Sequence, residues 1–247
     1  MSMRPLTADE KLLLEQALPP GFSMRWLDGL RWKWRMAVLL FRNAKIRLIT
    51  QEAYEVHRSI ISWGTRFSPD RVPDQSLGAD ALTLRLMRWA MQDWSRVQFL
   101  NRYLAGTLLP RLQMDFMPAL ACAAHFAIFR KQAPVSVDDY VESGRAVQRV
   151  WLTATRLGLQ HQPEITPVIF SRYVREGRKF SASANSVKLA SALAAEAEHI
   201  LAPEPACAVW VGRIGAGTAA RSRSERLSAA QLTASVPAGA AADHGVP

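Results

Sequence analysis

Apolar side chains recur at helical spacing through most of the first 130 residues, and few stretches show the two-residue alternation of a strand. The clearest helical stretch runs from Ala81 to Leu109, where leucine, valine and tryptophan recur three or four positions apart. An earlier helix is expected after Thr7, because Thr7 and Glu10 have the spacing of a capping box. The pattern therefore predicts a helix-rich portion over residues 1–130.

From residue 131 onward the pattern mixes helix and strand signals. Ser136 and Asp139 form a second capping-box candidate that opens a long helix, and Gly158 is placed to end it as the C′ residue. The apolar run CAVWVGRIG is typical of a buried strand. We therefore predict an α+β fold in a single domain over 1–230, with its α+β portion at 131–230, followed by a disordered tail over 231–247.

The long helix after Ser136 carries unusual residues on its apolar side. One stripe is formed by Val147, Val150, Trp151, Ala154 and Leu157, and Gly144 and Gln148 lie beside it one turn apart. Such a helix is predicted to be mostly buried, so Gln148 needs an internal hydrogen-bond partner. A glycine here costs about 1 kcal/mol relative to alanine, so Gly144 indicates the close approach of another group. A flat hydrogen-bonding ligand and tight packing against another backbone explain this pattern equally well.

The segment HQPEITP follows that helix and is bracketed by Pro163 and Pro167. The two prolines favour extended backbone. The amides of Glu164, Ile165 and Thr166 are therefore expected to be free for a ligand or for packing.

Charge and hydropathy restrict the classes of partner. The formal net charge of +10 favours anionic partners, but the arginines are spread along the chain, which argues against nucleic acid. Basic and aromatic residues alternate in the stretch RWKWR, so single-stranded nucleic acid stays a weaker alternative as a partner. The preferred explanation of this stretch is an amphipathic helix. No apolar run approaches the ~20 residues of a membrane span. Two cysteines and a charged N-terminal stretch fit the cytoplasm.

Several familiar kinds of site are not indicated. GRIGAG has the wrong glycine spacing for a dinucleotide loop, and the five histidines show no metal-binding spacing. His125, inside an apolar run, is expected to be a hydrogen-bonded core histidine. No residue is identified as a catalytic acid, base or nucleophile.

Two blocks resemble the nitroreductase family of FMN-dependent oxidoreductases. The first is G-x-x-x-Q at Gly144, an apolar run, Leu-Gly-Leu and a following proline; the second is AVWVGRIGAG followed by RSRSERL. The chain is most similar to nitroreductase-like domains fused to ubiquitin-activating-type adenylating domains in proteins assigned to molybdopterin biosynthesis, including over FRNAKIRLITQEAYEVHRSIISW. The resemblance implies a dimeric α+β sandwich that binds FMN between protomers and passes electrons from NAD(P)H to a small acceptor.

The resemblance also implies roles for individual residues. Gly144 and Gln148 would pack near the flavin, and the backbone of the following extended segment would pass its ring. Arginines near the end of the chain would contact the phosphate, with Arg221 as an alternative to Arg223. The implied cofactor-binding residues are Gly144, Gln148, Pro163, Glu164, Ile165, Arg213, Arg223 and Arg226.

The sequence departs from the family pattern near its start. The early Arg/Ser segment that binds FMN phosphate and the Asn/Gln-Pro-Trp segment beside the ring do not occur. The N-terminal part of the family domain is thus expected to be missing, and flavin binding to be weakened or lost. The alternative function is a flavin-free, degenerate binding or dimerisation module that partners an adenylating enzyme.

Overall fold

Helices dominate the first half of the chain. The computed structural model describes residues 1–234. Its first half contributes helices α1 (Ala8–Gln16), α2 (Gly29–Ile49), α3 (Gln51–Ile60), α4 (Ala81–Ala90), α5 (Trp94–Tyr103), α6 (Leu108–Arg111) and α7 (Met117–Leu120). A π-helical turn at Leu112–Phe116 joins α6 to α7. The capping box at Thr7 is confirmed, because its hydroxyl accepts from the Glu10 amide at 3.1 Å and the Glu10 carboxylate accepts from the Thr7 amide at 2.8 Å.

The second half supplies the remaining helices, and strands come from both halves. The later helices are α8 (Val137–Arg156), α9 (Thr166–Arg175), α10 (Ala184–Leu201) and α11 (Ala229–Ala234). The strands are β1 (Phe22–Leu27), β2 (Ile61–Ser62), β3 (Phe67–Ser68), β4 (Val72–Pro73), β5 (Ala124–Arg130), β6 (Leu159–Pro163), β7 (Ala208–Ala216) and β8 (Arg223–Ser224). Short 3-10 turns occupy Asp74–Ser76 and Pro205–Cys207. The α+β class and the strand predicted at CAVWVGRIG are confirmed.

Four strands form an antiparallel sheet in the order β1-β5-β7-β6. Residues 1–130 are helix-rich, as predicted, but β1 and β5 also belong to that portion, where few strand signals were recognised. β5 is buried on both faces and therefore shows no alternation. In β1 (FSMRWL) apolar and polar residues do alternate over positions 22–26, a strand signal that sequence reasoning did not use. The helix-rich and α+β portions thus share one sheet.

Helices cover both faces of this sheet. On one face, α2, α7 and α10 pack against the strands through residues such as Met36, Ile200 and Val211. On the other face, α1 and α8 pack through residues such as Leu14 and Val150. Each fully buried aliphatic side chain of this kind contributes about 1.5–3 kcal/mol to folding. The result is a three-layer arrangement with the sheet in the centre.

The end of the described chain and the long helices bear on two further predictions. Helix α11 extends four residues into the segment predicted as tail, and residues 235–247 lie outside the described part. Within residues 1–234, no helix combines the length and the apolar character that crossing a bilayer requires. RWKWR lies within the single amphipathic helix α2, as preferred from the sequence.

Candidate functional site

A buried charged cluster lies where β5, β7 and the end of β6 meet. His125 and Arg213 face each other across β5 and β7, and both contact Glu164, which directly follows β6. His125 Nδ1 lies 2.6 Å from Glu164 Oε2, and Arg213 Nη1 donates to Glu164 Oε1 at 2.9 Å. Arg213 Nη2 donates to Gln162 Oε1 at 2.6 Å. His125, Glu164 and Arg213 are each at least 96% buried, with exposures of 0%, 4% and 4%.

The surroundings of His125 favour its charged form. Its Nδ1 faces the Glu164 carboxylate and its Nε2 lies 3.0 Å from the Ala119 carbonyl, so both ring nitrogens meet acceptors and both must carry protons. Burial alone would lower the pKa of His125, but the Glu164 carboxylate and hydrogen bonds with Cys122 and Glu164 raise it to about 10. Burial likewise opposes ionisation of Glu164, but His125 and Arg213 outweigh it and lower the pKa of that carboxyl.

Arg213 already has two acceptors inside the protein. Its guanidinium, which the resemblance assigns to phosphate, donates to Glu164 and Gln162. Pro163, Glu164 and Arg213 line a small cavity of about 210 Å³ together with Arg47 and Asp115. The prediction that His125 is a hydrogen-bonded core histidine is confirmed.

A larger cavity, the α8–α9 cavity, has a volume of about 800 Å³ and lies between α8, α9 and the start of β7. Its apolar walls include Trp151, Trp210 and Val168. Four of the residues implied by the family resemblance line it, namely Gly144, Gln148, Ile165 and Arg226. The predicted residues therefore divide between two cavities, and Arg223 lies in neither, in β8 beside β3.

The packing predicted for Gly144 and Gln148 was wrong. Gln148 is exposed, and its side chain makes no hydrogen bond within the described chain, so it needs no internal partner. A Cβ at Gly144 would meet no atom within 4 Å, so no neighbouring backbone explains the glycine. Only one face of α8 is buried, through residues such as Val150 and Ala154 at 0% exposure. Gly144 and Gln148 lie on the adjoining face, which borders the cavity.

The segment between β6 and α9 offers fewer free amides than expected. The Glu164 amide donates to the Val211 carbonyl at 2.8 Å and is not free. Helix α9 begins after Ile165 with no side-chain cap, so the amides of Thr166 and Val168 lack the partners that a cap would supply. Ile165 and Val168 both line the α8–α9 cavity. The positive end of the α9 dipole therefore lies at its wall.

Arginines surround the polar part of the same cavity. The Arg226 guanidinium forms no hydrogen bond or ion pair with other residues of 1–234. Arg172 lies with its guanidinium carbon 5.0 Å from the Tyr140 ring centre, and its Nε is 3.5 Å from Glu176 Oε1. Arg175 donates to Glu198 at 3.1 Å. Of these arginines, Arg226 is the one left available for an anionic ligand.

Sequence reasoning missed an aromatic group behind the cavity wall. Trp210 Nε1 donates to His161 Nε2 at 3.1 Å, and the Trp151 ring lies 4.5 Å from the His161 ring. Burial lowers the pKa of His161 to about 4, against an opposing effect of Glu164, so the ring is neutral at pH 7. A Cβ at Gly212 would lie 2.6 Å from His161 Nε2, which explains the first glycine of GRIGAG without a nucleotide. Trp151, predicted in the buried stripe, is instead 38% exposed. It lies seven residues after Gly144 and three after Gln148, a spacing that would have indicated a face shared with these two residues.

Comparison with known proteins returned no match among family models, curated proteins or solved structures. The function must therefore be inferred from the chemistry of the residues in and around these cavities.

Proposed function

We propose that this protein is an FMN-dependent oxidoreductase of the nitroreductase type, with the flavin in the α8–α9 cavity. The observation that carries the proposal is that Gly144, Gln148, Ile165 and Arg226 all line one apolar cavity of about 800 Å³. These residues belong to α8, to the start of α9 and to the segment after β8. Proximity in sequence does not account for their meeting.

The residues present fit such a cofactor. The volume lies in the range of about 300–1,000 Å³ that is usual for ligand sites. Trp151, Trp210 and Val147 supply apolar walls for a flat ring system. Arg226 supplies a guanidinium that has no hydrogen-bond or ion-pair partner in residues 1–234, and whose fork geometry matches phosphate oxygens. We therefore assign the phosphate contact to Arg226 in place of Arg213.

The protein's contribution is binding and orientation. FMN supplies hydride and electron transfer between NAD(P)H and a small planar acceptor when it is bound. The Gln148 carboxamide can donate and accept hydrogen bonds at a polar edge of the ring, and the first-turn amides of α9 favour partial negative charge beside them. The apolar walls exclude water. No side chain is assigned as an acid or base.

We also propose that the protein acts in the cytoplasm as a homodimer. Leu152 lines the cavity and is 60% exposed, and Val135, next to the lining residue Pro134, is 86% exposed. Val137, three residues after Pro134, is 78% exposed. Exposed apolar residues grouped beside a ligand cavity are typical of an interaction surface. A homodimer would bury them and close the cavity against solvent.

The test is titration of the purified protein with FMN, followed by flavin fluorescence and by the visible spectrum. We expect a saturable change and bleaching of bound flavin by NADH or NADPH. Gln148→Ala removes a hydrogen bond and should weaken FMN binding roughly tenfold. Arg149→Ala, an exposed change on the same helix outside the cavity, is the matched control. If Gln148→Ala and Arg149→Ala bound FMN with equal affinity, the flavin would not lie in this cavity.

One observation favours the alternative of a flavin-free module that partners an adenylating enzyme. Two groups that the family resemblance assigns to flavin, the Arg213 guanidinium and the Glu164 amide, are already hydrogen-bonded within the protein. A colourless protein that does not respond to FMN, yet co-sediments with a purified adenylating enzyme, would establish this alternative. Analytical ultracentrifugation of the mixture and of each protein alone provides the measurement.

A further inference from the structure

A separate cavity of about 340 Å³ lies between the α2–α3 junction and the end of α9. We call it the α3–α9 cavity. None of the residues implied by the family resemblance lines it. Its lining combines cationic and aromatic side chains, chiefly Arg47, Phe170, Tyr173, Arg178, Lys179 and Phe180.

Arg47 has unused hydrogen-bonding capacity at this wall. Its Nε is buried and has no hydrogen-bond partner among the described residues. Within residues 1–234 its one ion pair is a long contact of 3.4 Å from Nη2 to Asp115. A guanidinium has five N–H donors, so Arg47 retains donors beyond this contact for an acceptor oxygen in the cavity that it lines.

The other charged groups of the lining also favour an anion. Lys179 has no acidic partner within residues 1–234, and Arg178 holds Glu176 at 2.9 Å outside the cavity. Glu52 is the one carboxylate in the lining, and its oxygens accept from the Ala182 amide at 2.9 Å and the Ser181 hydroxyl at 3.2 Å. Glu52 is thus engaged with the loop that follows α9. The lining itself carries three cations and one carboxylate, while Glu176 and Asp115 pair with Arg178 and Arg47 from outside it. Lys179 is the cation of this set without an acidic partner in residues 1–234.

The size of the cavity and its aromatic residues indicate the rest of the ligand. The cavity has a volume of about 340 Å³, whereas one water molecule occupies about 30 Å³. A bare inorganic anion is the size of a few waters, so the cavity has room for a much larger ligand. The Tyr173 and Phe180 rings stack at 5.8 Å with an interplanar angle of 27°, and Phe170 lies 5.1 Å from Phe180. Such a wall suits a flat organic group.

We infer that the α3–α9 cavity binds a nucleoside monophosphate, with the phosphate held by Arg47, Arg178 and Lys179 and the base against Tyr173 and Phe180. The site is independent of the proposed flavin cavity, which is lined by other residues. Phosphate suits this set because each cation adds a charge-assisted hydrogen bond.

The experiment is isothermal titration of the full-length protein with AMP, ribose 5-phosphate and inorganic phosphate at constant ionic strength. AMP should bind more tightly than either of the other two, because only AMP carries a base. The variant Arg178→Ala/Lys179→Ala should weaken AMP binding about tenfold or more. Both side chains are exposed, so the fold should survive, which thermal unfolding checks.

Lys188→Ala removes an exposed cation from α10 outside the cavity and should leave the AMP affinity unchanged. Absence of AMP binding, equal affinity for AMP and inorganic phosphate, or an unaltered affinity in the double variant would each overturn the inference. FMN titration of the same double variant should match that of the wild-type protein. A failure of this inference is thereby distinguished from a failure of the proposed flavin site.

Discussion

His125 and Arg213 are directly opposed residues of adjacent strands, and their two cationic groups hold the same carboxylate from its two oxygens. Glu164 therefore balances one of the two positive charges in a cluster whose members are almost completely buried. The cluster joins three strands of the sheet at the level where β6 ends and α9 begins. It positions the segment that carries Ile165 to the wall of the α8–α9 cavity.

Replacing Glu164 with glutamine should strongly destabilise the fold. The substitution leaves His125 and Arg213 buried without their anion, and breaking a buried pair in this way costs about 3–5 kcal/mol. Urea unfolding gives the free energy of unfolding. Glu142→Gln, which alters the exposed pair with Arg130, should change it by less than about 1 kcal/mol. The cluster would not hold the sheet together if the two variants were equally stable.

The free energy of unfolding should fall at alkaline pH because of His125. Its pKa is about 10 in the folded protein and about 6.5 when unfolded, so its contribution is complete below pH ~6.5 and is lost as pH rises towards 10. The slope approaches about 1.4 kcal/mol per pH unit within that window. Urea unfolding of the wild type and of His125→Gln at pH 7, 8 and 9 isolates the effect, since the variant lacks this titration. Parallel curves would show that the histidine is neutral in the fold.

A methyl group at Gly212 should disturb the aromatic group behind the cavity. The Cβ of Gly212→Ala would lie 2.6 Å from His161 Nε2 and must displace the ring, so we expect a loss of about 1–3 kcal/mol. The double variant Gly212→Ala/His161→Ala removes the clash and should show a coupling that restores part of the loss. Thermal or urea unfolding of the two single variants and the double variant measures this coupling. Strict additivity of the two changes would contradict the proposed contact.

Gly144→Ala should stabilise the protein and weaken flavin binding at the same time. Alanine is favoured over glycine within a helix by about 1 kcal/mol, and its Cβ would meet no other atom within 4 Å. The new methyl group would face the α8–α9 cavity, where it would compete with the flavin. Unfolding and FMN titration of the same variant test both effects. Arg145→Ala, an exposed change one position along, should leave FMN affinity unaltered.

Local features of the fold could be predicted because they depend on neighbouring residues. The capping box at Ser136 is confirmed, with its hydroxyl accepting from the Asp139 amide at 3.2 Å and its amide donating to the Asp139 carboxylate at 2.8 Å. Gly158 has φ of 70°, as a C′ glycine requires. These features need no knowledge of what lies on the other side of the sheet.

The buried charged cluster could not be predicted from spacing. His125, Glu164 and Arg213 are far apart in the chain and meet because of strand register. The apolar run around His125 indicates burial but does not identify its partner. Arg213, inside a strand pattern, likewise gives no sign that a carboxylate lies beside it. The resemblance of the block AVWVGRIGAG to the nitroreductase family assigned Arg213 to phosphate instead.

The error at Gln148 has a geometric origin. Successive residues of a helix are turned by about 100°, so Gln148 points well away from Val147 although the two are adjacent in the chain. Gly144, Gln148 and Trp151 lie on an arc beside the buried stripe. Apolar spacing identifies the stripe but does not say whether the next arc meets protein, solvent or a cavity.

The pairing of β8 with β3 has a consequence for how distant substitutions would act on the cavity. Arg226 follows β8 by two residues, and β8 is aligned by the strand Phe67–Ser68 from the first half of the chain. That loop is itself held by Asp74, whose carboxylate accepts from the Gly64 and Thr65 amides at 2.8 and 3.2 Å. Arg226 is thus connected, through the β3–β8 pairing and the hydrogen bonds of Asp74, to residues more than a hundred positions earlier in the chain. If an ordered loop helps to position Arg226, then a ligand bound by Arg226 must in turn stabilise that loop. Ligand binding should therefore slow amide hydrogen exchange there.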